Sequence, residues 1–223
     1  MKFRHELKHT ISYGDMLEIR SRLGAVMEID IHALEGGYQI RSLYFDNIYD
    51  KALREKIDGV DKREKFRLRY YNEDTSRIAL EKKSKINGLC NKEQVILSMD
   101  EVLAILNGET EKLAESDKPL LRELYRKMAT EGLKPYTVVD YDRIPFVYGP
   151  GNVRVTIDYN IRTGLKATDF LRNDLPTMCV SENPIILEVK WDEYLPEIIR
   201  DAVQLQSAMT SSYSKYAACR MYD

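Results

Sequence analysis

The chain has 223 residues, 43% of them hydrophobic, which is enough apolar material for one domain with its own core, and residues 1–223 read as one. Its formal net charge of −2 at pH 7 excludes a protein that coats nucleic acid or anionic lipid through bulk positive charge, so any cationic function has to be local. Three widely spaced cysteines without a CxxC and three histidines without a partner at ligand spacing exclude a disulfide framework and a zinc site.

The start, "MKFRHELKHTIS", lacks the apolar stretch of a leader, and no run reaches the roughly 18 apolar residues of a membrane span. The expectation is a cytoplasmic chain that does not insert into a membrane. "RHELKHTI" alternates, placing Arg4, Glu6 and Lys8 on one side, and reads as a strand. Ser12 with Asp15 forms a capping box opening "SYGDMLEIRSRLGAVM", whose Met16, Ile19, Leu23 and Met27 make one helical stripe. "IRSLYFDN" alternates again, and "KFRLRYY" sets Lys65, Arg67 and Arg69 against Phe66, Leu68 and Tyr70. In "LEKKSK" the set is Glu81, Lys83 and Lys85, and the turn signal Asn87-Gly88 leads to "NKEQVIL" with Lys92 as its hairpin partner.

Ser98 and Glu101 cap a helix that Gly108 stops, and a further helix runs from Pro119 to Glu131 before Gly132. "TVVDYDRIPFVY" then carries Tyr141 and Arg143, and "VRVTIDYNI" carries Arg154, Thr156 and Asp158. Between them "GPGN" at 149–152 reads as a turn and not as a phosphate loop. "ILEVKW" sets Glu188 and Lys190 against Leu187, Val189 and Trp191. "LPEIIRDAVQLQSA", starting at Pro196, and "SSYSKYAACRMY" close the chain as helices.

Eight alternating segments suit an α+β fold built on a closed antiparallel eight-stranded β-barrel with flanking helices. Any one of them could be a half-exposed strand with a solvated face. Taken together they repeat Arg and Lys beside a carboxylate or a tyrosine. If the apolar faces pack outward on the helices, the cations converge inside, where they need an anionic ligand that is long, thin and densely negative. Phosphate chains fit, since Arg offers a planar fork and Lys a point charge to phosphate oxygens. Glu6, Glu81, Asp158 and Glu188 suit either a hard divalent cation or charge balance of neighbouring Arg and Lys, with Glu188 the strongest metal candidate. His5, His9 and His32 read as surface or strand residues, and no nucleophile with a His base is present.

The ordered set "RHELK", "LYFDN", "FRLRYY", "LEKKSK", "DYDR", "VRVTID", "LEVK" and "SYSKY" resembles the VTC domain. That is the catalytic domain of vacuolar transporter chaperone polyphosphate polymerases, here in a compact bacterial form, within the CYTH-like superfamily of triphosphate tunnel metalloenzymes. The resemblance implies an eight-stranded tunnel and transfer of the γ-phosphate of ATP onto a growing polyphosphate chain with Mn2+ or Mg2+. It implies catalytic roles for Lys8, Arg67, Arg69, Lys83, Arg143 and Arg154, phosphate binding by Lys92, Tyr141, Lys190 and Lys215, and metal binding by Glu188 and Glu6. ATP and polyphosphate are the expected partners and nucleic acid is not, while a membrane-protein partner stays open. Arg4 stands where the triphosphatase branch carries the first glutamate of its ExExK motif, which agrees with polymerases. A hydrolase acting on tripolyphosphate or polyphosphate, and a non-catalytic binding module, are the alternatives. The phosphate-sensing SPX domain and the membrane helices of eukaryotic relatives have no counterpart in these residues.

Overall fold

The computed structural model describes residues 3–33, 36–205, 209–210 and 212–222. The elements follow in chain order as β1 His5–Ile11, α1 Tyr13–Val26, β2 Glu28–Ile29, β3 Tyr38–Asp46 and α2 Lys51–Ile57. Next come β4 Arg63–Tyr71, β5 Asp74–Ile86, β6 Leu89–Leu97, α3 Met99–Asn107, α4 Pro119–Glu131, β7 Lys134–Tyr148 and β8 Val153–Thr163. The chain finishes with β9 Met178–Cys179, β10 Ile185–Trp191, α5 Glu197–Ala202, β11 Met209–Thr210 and α6 Lys215–Cys219. The architecture is mixed α and β around one antiparallel sheet in the order β11-β1-β10-β8-β7-β3-β4-β5-β6, with β2 on β7 and β9 on β8.

All eight expected strands form, and local chemistry accounts for their joints. Asn87 and Gly88 both take positive φ, 51° and 76°, the pair that a two-residue turn between β5 and β6 requires. Ser12 and Asp15 close the expected capping box on α1, as do Ser98 and Glu101 on α3. Gly108 and Gly132 end α3 and α4 in the left-handed region. "GPGN" is a structural turn between β7 and β8, with Gly151 at φ 70° and its carbonyl accepting from Asp192 N–H.

The expected closed barrel is not what forms. The eight long strands curl into an open half-barrel, and among the described residues its outer edges are hydrogen-bonded through one bridge, Arg4 to Cys90, where each N–H donates to the other's carbonyl at 3.0 and 3.2 Å. Closure needs a continuous ladder in matching stagger. Here the far end of the β1 edge is taken instead by β11, which pairs with His9 and Thr10.

Two apolar clusters lie on the convex side. Phe66, Leu68, Tyr70, Leu80 and Leu43 meet α3 and α4, while Val155, Ile157, Leu187 and Val189 meet Ile19 and Leu23 of α1 and Ile199 of α5. A third cluster sits in the hollow, where α6 brings Tyr216 and Cys219 against Tyr44, Val139, Tyr141 and Ile161. The helix expected from Pro196 is shorter, ending at Ala202, and Pro196 caps it. Positions 206–208 of that expected segment and position 211 of the last one lie outside the described residues.

Candidate functional site: a basic trough

Strand alternation, with the convex face spent on apolar packing, turns the other set of side chains into the hollow. Four cross-strand rungs define it. Lys8 lies opposite Glu188 and Thr156, and Glu6 opposite Lys190 and Arg154. Tyr44 faces Arg67, Glu81 and Gln94, while Lys65 faces Lys83 and Lys92. Every site residue expected from the sequence is on this face, including Arg69, Tyr141, Arg143 and, from α6, Lys215.

The carboxylates divide into two kinds. Glu81, 2% exposed, receives Arg67 Nε at 2.7 Å, with Lys92 Nζ at 3.1 Å and Arg69 at 3.7 Å. Asp158, fully buried, takes both ends of the Arg143 fork at 2.6 and 2.7 Å and Lys215 Nζ at 2.5 Å. Burial favours the neutral acid in each case and is outweighed, by Arg67 and Arg69 for Glu81, which stays well below the usual carboxylate range. Arg143 and Lys215 pull Asp158 down to about 2. These two acids balance charge, so of the two readings open for them in the sequence the structure supports that one. Glu6 and Glu188 are different. They lie side by side, ringed by Lys83 at 2.6 Å from Glu6, Lys190 at 2.9 Å from Glu188, and Lys8 at 3.2 and 3.6 Å from the two. Among the described residues no group of three or more His, Cys, Asp or Glu comes together as a ready-made metal cage.

The arginines are held at fixed angles by neutral partners as well. Arg69, 3% exposed, donates to Ser42 Oγ at 3.0 Å and to the Tyr141 hydroxyl at 2.8 Å. Arg67 donates to the Tyr44 hydroxyl at 2.8 Å, and Lys215 Nζ lies 4.7 Å over the Tyr141 ring. Arg154 is less enclosed, reaching out to Asp30 at 2.9 Å and to the Tyr38 hydroxyl. Arg4 plays no part in the trough: its Nε lies 2.9 Å from Asp192 beyond the end of β1.

Two side chains were missed as site residues. Tyr44, stacked at 5.0 Å on Tyr216, is surrounded by Arg67, Lys65 and Arg69, which overcome burial and lower its pKa. Lys65 Nζ sits 5.4 Å over the same ring, and burial with Lys83, Lys8 and Arg67 nearby lowers its pKa to about 7. The period-2 pattern already placed Lys65 with Arg67; the missing knowledge was that no carboxylate reaches it among the described residues. His5 stacks on Trp191 at 5.3 Å, in keeping with a strand residue.

The model of the VTC domain family matches residues 3–222. No functionally curated protein matches the chain. A Bacillus halodurans protein assigned as an adenylate cyclase superposes with a TM-score of 0.53 at 14% identity, over 85% of this chain and 80% of its own. The PH1012 protein from Pyrococcus horikoshii OT3 aligns over 95% of this chain and 96% of its own at 12% identity, with a TM-score of 0.49.

Proposed function

The chain belongs to the VTC domain family, and from that premise we propose that it is an ATP:polyphosphate phosphotransferase, moving the γ-phosphate of ATP onto the end of a polyphosphate chain held in the trough. The observation that carries this is the charge of the hollow. Lys8, Lys65, Arg67, Arg69, Lys83, Lys92, Arg143, Arg154, Lys190 and Lys215 line it with Glu6, Glu81, Asp158 and Glu188, and Asp30 meets Arg154 from its edge, so the cations outnumber the acids that face them, with Arg69 and Arg143 buried, Lys92 exposed and the others half-buried. Such an excess favours the binding of a polyanion, which supplies the counter-charge that the acids do not.

Phosphoryl transfer asks little covalent chemistry of the protein and much positioning. Lys8, Arg67, Arg69 and Lys83 hold the triphosphate, each guanidinium already oriented by Tyr44, Ser42 or Tyr141. Arg143, Arg154 and Lys215 face the transferring group and the product chain and neutralise charge as the bond to ADP breaks. The attacking oxygen belongs to a terminal phosphate, which is already largely ionised near pH 7 and needs no strong base. Adjacent carboxylates plus substrate oxygens are the donor set a hard divalent cation takes, so Glu6 and Glu188 are the residues that would hold Mn2+ or Mg2+. Such an ion, when bound, supplies charge neutralisation across phosphate oxygens. The second reading, hydrolysis of tripolyphosphate or polyphosphate, keeps one specific support: Glu6 stands beside Glu188.

The test is purified protein with ATP and Mn2+, following ADP and free phosphate separately and resolving products by size. ADP with a polyphosphate ladder and little free phosphate is the expected result; ADP matched by free phosphate establishes the hydrolase. Arg67→Ala and Lys83→Ala should each raise the barrier by about 2–4 kcal/mol, as for removal of a single transition-state donor. Retained activity in both refutes the assignment.

A further inference from the structure

The trough is not uniform along its length. At its inner end every guanidinium has a carboxylate, Arg67 on Glu81 and Arg143 on Asp158. Toward the start of β4 the pattern changes. Arg63 stands directly opposite Lys85, and the next inward rung sets Lys65 opposite Lys83. Like charges facing each other across strands destabilise a sheet, and here two consecutive rungs carry them on one face.

Helix α2 lies against β4 at this end and adds Lys56. Burial and the cations Arg63, Lys8 and Lys85 push the Lys56 pKa down, against a weaker pull from Glu6. Among the described residues no carboxylate comes within ion-pair distance of Lys56, Arg63, Lys65 or Lys85, and one guanidinium nitrogen of Arg63 donates to the carbonyl of Val60. Asp61, the acid of this rim, is committed to the backbone N–H groups of Asn87 and Gly88 at 2.9 and 3.2 Å.

A triphosphate held by Lys8, Arg67, Arg69 and Lys83 does not reach this far. From Arg69 to Arg63 the cations run along six residues of β4, about 20 Å at roughly 3.3 Å per residue, longer than the two P–O–P links of a triphosphate. We propose that Lys56, Arg63 and Lys85, continuing from Lys65, form a rim subsite that binds phosphates of a linear polyphosphate beyond the three that the inner trough holds. The inference rests on the phosphotransferase reading and specifies its substrate: the rim makes the trough a site for long chains.

The test compares tripolyphosphate with long-chain linear polyphosphate by calorimetry at fixed salt, for the wild type and the triple variant Lys56→Ala, Arg63→Ala, Lys85→Ala. The expected result is a loss of about tenfold or more for the long chain, and less than about twofold for tripolyphosphate, since the phosphate contacts removed are electrostatic and lie outside the inner set. Equal losses for both ligands, or none for either, overturn the rim. The melting temperature of the ligand-free variant is a second readout. It should equal or exceed the wild type, because facing like charges have been removed; a clear drop would mean that these cations serve the fold, and would also overturn the inference. If the wild type binds neither polyanion, the phosphotransferase reading itself falls; if it binds both and the variant is indistinguishable from it, only the rim does.

Discussion

Asp158→Asn separates an acid that balances charge from one that serves a metal. The side chain is fully buried and takes three charge-assisted hydrogen bonds, two from Arg143 and one from Lys215. Replacing it leaves two cations in the hollow without their counter-charge, and breaking a buried pair in this way costs about 3–5 kcal/mol. A second route to the magnitude uses ionisation alone. A carboxyl lowered from 3.8 to about 2 contributes about 2 kcal/mol at about 1.4 kcal/mol per unit. The two bracket the loss, and at roughly 2–4 °C per kcal/mol for a chain of this size the melting temperature should fall by about 4–20 °C near pH 7.

The sign with pH follows. A depressed carboxyl contributes stability that is fully present above its unfolded value near 4 and disappears as pH falls toward 2. The gap between wild type and variant should therefore close below about pH 3. Tripolyphosphate supplies the missing negative charge, so it should raise the melting temperature of the variant by more degrees than that of the wild type. The assay is thermal denaturation followed by circular dichroism, with and without tripolyphosphate across pH. A variant as stable as the wild type at pH 7, or one that tripolyphosphate rescues no better than the wild type, refutes the assignment of Asp158 as the counter-charge of Arg143 and Lys215.

Lys65, lowered to about 7 by burial and by Lys83, Lys8 and Arg67, regains its proton when phosphate approaches. Polyphosphate binding should thus take up a proton and weaken as pH rises from 7 to 9, and Lys65→Gln should flatten that slope in calorimetry run in buffers of different ionisation enthalpy. Gly151→Ala places a Cβ 2.5 Å from the Tyr194 carbonyl at a φ of 70°, so it should cost about 1–3 kcal/mol in urea melts without touching the trough; unchanged stability would show that the β7–β8 turn is not as tight as described. Phe66→Ala, on the opposite face of β4 from Lys65 and Arg67 and 2% exposed, should cost about 3–5 kcal/mol while leaving the residual folded protein able to bind tripolyphosphate. A selective loss of binding at full stability would invert the assignment of the two faces.

Much of this molecule is legible in the chain because its signals are local. The alternation in "KFRLRYY" and "VRVTID" requires only the two-residue repeat of a strand, and Asn87-Gly88, Ser12 with Asp15 and Gly108 act within a few residues. Helix α2 escaped notice because its N–H groups are capped from a distance. Asp46 accepts from Ala52 and Leu53, and Asn47 from Lys51, while no residue of the helix is buried enough to mark an apolar stripe. The sequence alone therefore determined the strands, their cationic faces and the family they resemble. Only the tertiary structure decided that the sheet stays open, and that Glu81 and Asp158 are committed to arginine; among the described residues Arg4 and Cys90 make the one bridge at that seam, and Lys56, Arg63, Lys65 and Lys85 have no acid within ion-pair distance. The physical reason is range: a strand's alternation is set by its own backbone, whereas the partner of a buried charge is set by whichever strand the curl of the sheet brings opposite.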